Sequence, residues 1–176
     1  MSLGTMTAAR QQKKRGFSVA KRVAAAIFAV FLVLPIRIPV AGAAGPLERV
    51  VVDPASGLAI SGFDPVAYFS RGKAVQGRPE LELRAAGVIW RFENEGNRAA
   101  FADQPEVYGP QFGGYDPVAI GRDTSVTGHP LIWTIKDERL YLFYDEAARA
   151  EFLADPERII ERARQKWPSV AYMISR

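Results

Sequence analysis

Gly62-Phe63-Asp64-Pro65-Val66-Ala67 comes back 52 residues later as Gly114-Tyr115-Asp116-Pro117-Val118-Ala119. From Val75 onward the echo runs at a constant offset of 51: Val75, Gly77 and Pro79 meet Val126, Gly128 and Pro130, while Trp90 and Phe92 meet Tyr141 and Phe143. Glu95, Arg98, Phe101, Pro105 and Glu106 then meet Glu146, Arg149, Phe152, Pro156 and Glu157. One residue net is lost between Ala119 and Val126. A single copy would be a turn; two in series predict a duplicated architecture, with one half at about 62–108 and the other at about 114–167.

Each half spells the same elements. Asp before Pro starts a helix, because the carboxylate accepts from backbone N–H groups two or three residues on and Pro at the first position lacks a donor that would be unpaired anyway. This predicts a short helix from Pro65 to Arg71, closed by Gly72, and a shorter turn from Pro117 cut off by Gly121. Alternation in Leu81-Glu82-Leu83-Arg84 and Ile89-Trp90-Arg91-Phe92, across Ala85-Ala86-Gly87, predicts a hairpin. Leu131–Ile135 and Leu140–Tyr144 predict its counterpart. Glu93 or Asn94 caps a helix through Phe101, and Asp145 caps one through Leu153. Asp155-Pro156 starts the last helix, where Ile159, Ile160, Ala163 and Trp167 share a face. Val50–Val52 reads as a short strand. A two-stranded hairpin alone is marginal in water. The expected fold is therefore α+β: two short helix, β-hairpin, helix units sharing one antiparallel or mixed sheet with the helices packed on it. The domain spans 58–168, after an extension at 44–57 and before a tail at 169–176.

The net charge of +4 misleads, because residues 1–43 hold seven basic residues and no acidic one, leaving 16 basic against 19 acidic in the body. A basic start, the twelve-residue apolar run Val23–Leu34 and Ala41-Gly42-Ala43 form the pattern of a cleavable signal peptide ending near Ala43. The run is too short for a span of ~20 residues and is interrupted by Pro35, Arg37 and Pro39. Lys14-Arg15-Gly16-Phe17 resembles a weak twin-arginine signal. The expected location is periplasmic or secreted, with the membrane met only during export. The body has no basic patch, so nucleic acid is excluded as a partner. The chain has no cysteine, which removes disulfides, thiolate metal sites and thiol nucleophiles.

Asp64 and Asp116 read first as helix caps, each worth ~1 kcal/mol. As a pair they would suit acid/base work or a hard cation. His129, the sole histidine, precedes Pro130 in a loop and offers one imidazole; no G-x-S-x-G context accompanies it. Tyr68, Tyr108, Phe112 and Tyr115 cluster around the two turns, where they serve as packing or as the lining of a small-ligand pocket. Trp90, Trp133 and Trp167 read as core.

With these residues the stretch from Leu58 to Pro168 resembles the YHS-domain family, in particular its small exported members. The matching features are Gly62–Phe69, Trp90-Arg91-Phe92 leading to Asn97-Arg98 and Phe101, Tyr108–Tyr115, Trp133-Thr134 and Tyr141-Leu142. The resemblance implies a binding domain, with metal where cysteines are present. Here Ala67 and Ala119 stand where metal-associated versions carry the Cys of Asp-Pro-Val-Cys. Glu93 and Asn97, and in the second half Tyr144 and Ala148, stand where they carry a cysteine pair. Asp116 holds a further cysteine position. The expected function is thus a non-catalytic exported binding module for an unidentified small molecule or protein, with a cleft between the halves near Asp64, Tyr68, Tyr115 and Asp116 and no cofactor. One alternative is a metal held by Asp64, Asp116 and His129; another is a carboxylate-dependent hydrolase.

Overall fold

The computed structural model describes residues 49–175; the signal-peptide expectation falls on residues 1–43, outside them. The described chain is α+β. The first half runs through a 3₁₀ turn at Ile60–Gly62, α1 (Ala67–Arg71), β1 (Arg78–Ala85), β2 (Val88–Phe92), α2 (Glu95–Asp103) and α3 (Pro105–Tyr108). The second runs through a 3₁₀ turn at Gln111–Gly114, α4 (Pro117–Ile120), β3 (His129–Lys136), β4 (Arg139–Phe143), α5 (Glu146–Ala154) and α6 (Pro156–Ile174).

The agreement between halves extends to individual hydrogen bonds. In the first hairpin Arg78 faces Phe92, the register slips, and Glu82 faces Arg91; in the second His129 faces Phe143 and Trp133 faces Leu142 after the same slip. Gly77 N–H donates to Gly62 O and Gly128 N–H to Gly114 O, both at 2.9 Å. Both hairpins close through two-residue turns with positive φ at both positions, Ala86-Gly87 (52° and 77°) and Asp137-Glu138 (50° and 57°). That geometry matches the right-handed twist of the strands. Gly supplies it freely at Gly87, whereas Ala86, Asp137 and Glu138 hold it at a steric cost.

The four strands do not merge into one sheet as the sequence suggested. They form two separate antiparallel ladders. The outer edge of β2 is already engaged by the chain before it, with Ala59 N–H donating to Ile89 O at 2.8 Å, and each bulge adds local twist that turns the ladder away from flat extension. Residues 50–52 form a single bridge, Val52 with Ala59, instead of a strand. Val51 ties the halves together, donating to Gly113 O at 2.8 Å while its carbonyl accepts from Ile60 N–H at 3.3 Å.

The halves are joined by side chains. Tyr141 and Phe143 of β4 pack with Phe152, Ile159, Ala163 and Trp167 under α5 and α6. The alternate residues of the same strand, Leu140 and Leu142, pack with Ile60, Tyr68, Trp90, Phe92 and Phe101 of the first half. Successive side chains of a strand point to opposite faces, so β4 is the layer shared by both cores. The last helix runs to Ile174, and Val170 on it is fully buried, so most of the tail expected at 169–176 is structured helix. Pro168 sits inside α6.

Candidate functional site

Asp64 and Asp116 are both buried, and both cap the turn that follows. Asp64 Oδ1 accepts from Val66 N–H at 2.8 Å and Ala67 N–H at 3.3 Å. Its Oδ2 accepts from Glu93 N–H at 2.8 Å and from the Asn97 side-chain amide at 2.7 Å. One carboxylate thus ties the capped turn to the end of β2 and the start of α2. Asp116 repeats the arrangement, with Oδ1 accepting from Val118 N–H at 2.8 Å and Oδ2 from Tyr144 N–H at 2.9 Å. The side-chain donor is missing, because Ala148 stands where Asn97 stands. The equivalence is set by the helix caps: Asn97 N–H donates to Asn94 Oδ1 at 2.9 Å and Ala148 N–H to Asp145 Oδ1 at 2.8 Å.

This difference has an electrostatic consequence. Desolvation pushes the Asp116 carboxyl above the ordinary aspartate range, against the pull of its backbone donors, with the Asp145 charge adding a smaller push in the same direction.

It also has a steric consequence. Beside Asp116 lies an open cleft of about 270 Å³, lined by Val118, Ala119, Arg122, Val126, Tyr144, Ala148 and neighbours. In the first half Asn97 stands at the matching position and donates to Asp64, and the Arg71 guanidinium pairs with Glu93. In the second half Tyr144 takes the place of Glu93 and is 61% exposed on the rim. Arg122 is drawn to Glu151, donating to its two carboxylate oxygens at 2.8 and 2.6 Å.

The other residues singled out from sequence lie elsewhere. Tyr68 is fully buried in the core between the halves, its hydroxyl donating to Pro130 O at 2.8 Å and its ring edge-on to Trp133 at 5.1 Å. Burial first, and the Asp64 charge second, push its phenol well above the ordinary range. The expected cleft between the halves is packed at this point. Tyr115 is partly buried against Trp167, with ring centroids 6.0 Å apart, and desolvation raises its phenol. Of the four expected binding residues, Asp116 alone lines the cleft. His129 is exposed on the first residue of β3, not in a loop, and its Nδ1 accepts from Leu131 N–H at 3.2 Å. Among the described residues no three His, Cys, Asp or Glu side chains converge on a point that would hold a metal. Tyr144, Ala148, Arg122 and Glu151 were not singled out as binding residues, although the offset of 51 pairs Glu93 with Tyr144 and Asn97 with Ala148 and marks where the halves part. No protein-family model, curated protein or solved structure matches the chain.

Proposed function

We propose that this chain is an exported, non-catalytic binding module of the YHS type whose ligand site is the cleft of the second half, floored by Asp116. The observation that carries the proposal is the asymmetry between two otherwise matching carboxylates. Asp64 is saturated by four donors, while Asp116 is buried with fewer partners beside about 270 Å³ of open space. Pockets for small ligands begin at about this size and combine apolar walls with a few convergent polar groups. A buried acid with a raised pKa in a cleft is a recurrent mark of function. The resemblance adds support, because Ala119, Tyr144 and Ala148, three of the positions at which it expects cysteines, all line this cleft. Loss of those thiols takes away the ligands soft metals prefer and leaves a carboxylate with small apolar neighbours.

The test is a fragment screen read by amide NMR shifts at Val118 and Tyr144, whose N–H groups donate to Asp116 at 2.8 and 2.9 Å. Shifts confined to residues 116–126 and 144–151 are the expected result. A screen in which no fragment moves either amide sinks the proposal. Export is tested separately, by sequencing the N-terminus of the mature protein, which should begin near Ala44.

A further inference from the structure

We infer that the cleft accepts a small neutral molecule presenting a primary carboxamide to Asp116 Oδ2. The inference rests on the site proposed above and names its ligand chemistry. The first half is an occupied version of the same site: the Asn97 amide, itself buried, donates to Asp64 Oδ2 at 2.7 Å beside the Glu93 N–H at 2.8 Å. In the second half the backbone donor is kept, Tyr144 N–H to Asp116 Oδ2 at 2.9 Å, and the amide is gone. Ala148 carries no carboxamide, and the space beside Asp116 is open.

The surroundings fit a flat amide. Val118, Ala119, Val126 and Ala148 supply apolar wall, and Tyr144 offers an exposed ring at the mouth for stacking. A hydrogen bond from a neutral donor to a buried carboxylate is stronger than one between two neutral groups. Anionic ligands are disfavoured, because Asp116, Asp145 and Glu151 all line the cleft while Arg122 is held by Glu151.

The experiment titrates the mature chain with benzamide, benzamidine and benzoate, following the amide resonances of Val118 and Tyr144. Benzamide is expected to shift both and benzoate neither. Ala148→Asn, which installs the missing amide within the chain, is expected to weaken benzamide by about tenfold or more, the factor that one lost hydrogen bond represents. Asn97→Ala is expected to open a second benzamide site, seen at the amides of Val66 and Glu93. The inference is overturned if benzamide leaves Val118 and Tyr144 unmoved in the wild-type chain, or if benzamidine binds tenfold tighter. It is equally overturned if a folded Ala148→Asn chain binds benzamide undiminished. Should other fragments shift these amides while benzamide does not, the amide assignment fails and the cleft stands. Should nothing shift them, both fail. The wild-type titration decides the matter even where a variant does not fold.

Discussion

Replacing Asp64 by Ala should cost the fold clearly more than replacing Asp116 by Ala, although the two residues hold the same position in matching turns. Asp64→Ala strands three well-placed donors, Val66 N–H at 2.8 Å, Glu93 N–H at 2.8 Å and the Asn97 amide at 2.7 Å. Asp116→Ala strands two, Val118 N–H at 2.8 Å and Tyr144 N–H at 2.9 Å. A buried donor left without a partner costs ~1–3 kcal/mol. Three such groups place Asp64→Ala at about 3–9 kcal/mol by that count. For Asp116→Ala the open cleft admits water to the stranded groups, which lowers the cost to about 1–3 kcal/mol. A difference of about 2 kcal/mol corresponds to roughly 7 °C in Tm for a domain of this size, from the usual unfolding entropy per residue. Urea unfolding of the mature chain and both variants at neutral pH measures it directly. If Asp64→Ala leaves too little folded protein, Asn97→Ala removes one bond to a charged group and is expected to cost about 1.5–3 kcal/mol. Equal costs for the two aspartates, or a larger cost for Asp116, would refute the claim that one carboxylate is saturated and the other is not.

Three further outcomes are expected. Burial raises the folded-state pKa of Asp116, so its contribution to stability is full below the unfolded value and is lost as pH rises through the folded one. The stability difference between the wild-type chain and Asp116→Asn should therefore shrink from acid toward neutral pH in paired urea titrations; a difference independent of pH would contradict this. Tyr68→Phe leaves the Pro130 carbonyl without its 2.8 Å donor in the core between the halves, and should cost ~1–2 kcal/mol in the same assay. Gly128→Ala should cost ~3 kcal/mol or prevent folding, since a Cβ there would stand 2.5 Å from Leu142 Cβ and 2.8 Å from Gly114 O. Gly77→Ala should behave alike, its Cβ falling 2.4 Å from the Arg91 carbonyl carbon; thermal melts that tolerate either change would show that the bulges can relax.

Much of this architecture was legible in the chain because it depends on local rules. Asp before Pro caps a turn through its own neighbours. Alternating apolar residues around a short turn make a hairpin, and Asn94 and Asp145 cap the helices that follow through N–H groups three residues away. The spacing Val-x-Gly-x-Pro was visible twice, but its reason lay in space: Gly77 and Gly128 pass so close to the paired strand that a side chain has no room. Sheet pairing is not legible in the chain for a similar cause, since the edge of β2 is engaged by Ala59, a contact that periodicity within either strand does not report.

What the sequence by itself determined is the repeated order of elements and the two buried caps, because a capping carboxylate and a two-residue turn act within a few residues of themselves. What only tertiary structure decided is which aspartate is closed and which stands beside open space. That depends on Asn97 reaching Asp64 across 33 residues of chain, and on Ala148 stopping short of Asp116. An amide either spans such a gap or leaves it open, and the distance to be spanned exists only once both cores have packed against the two faces of β4.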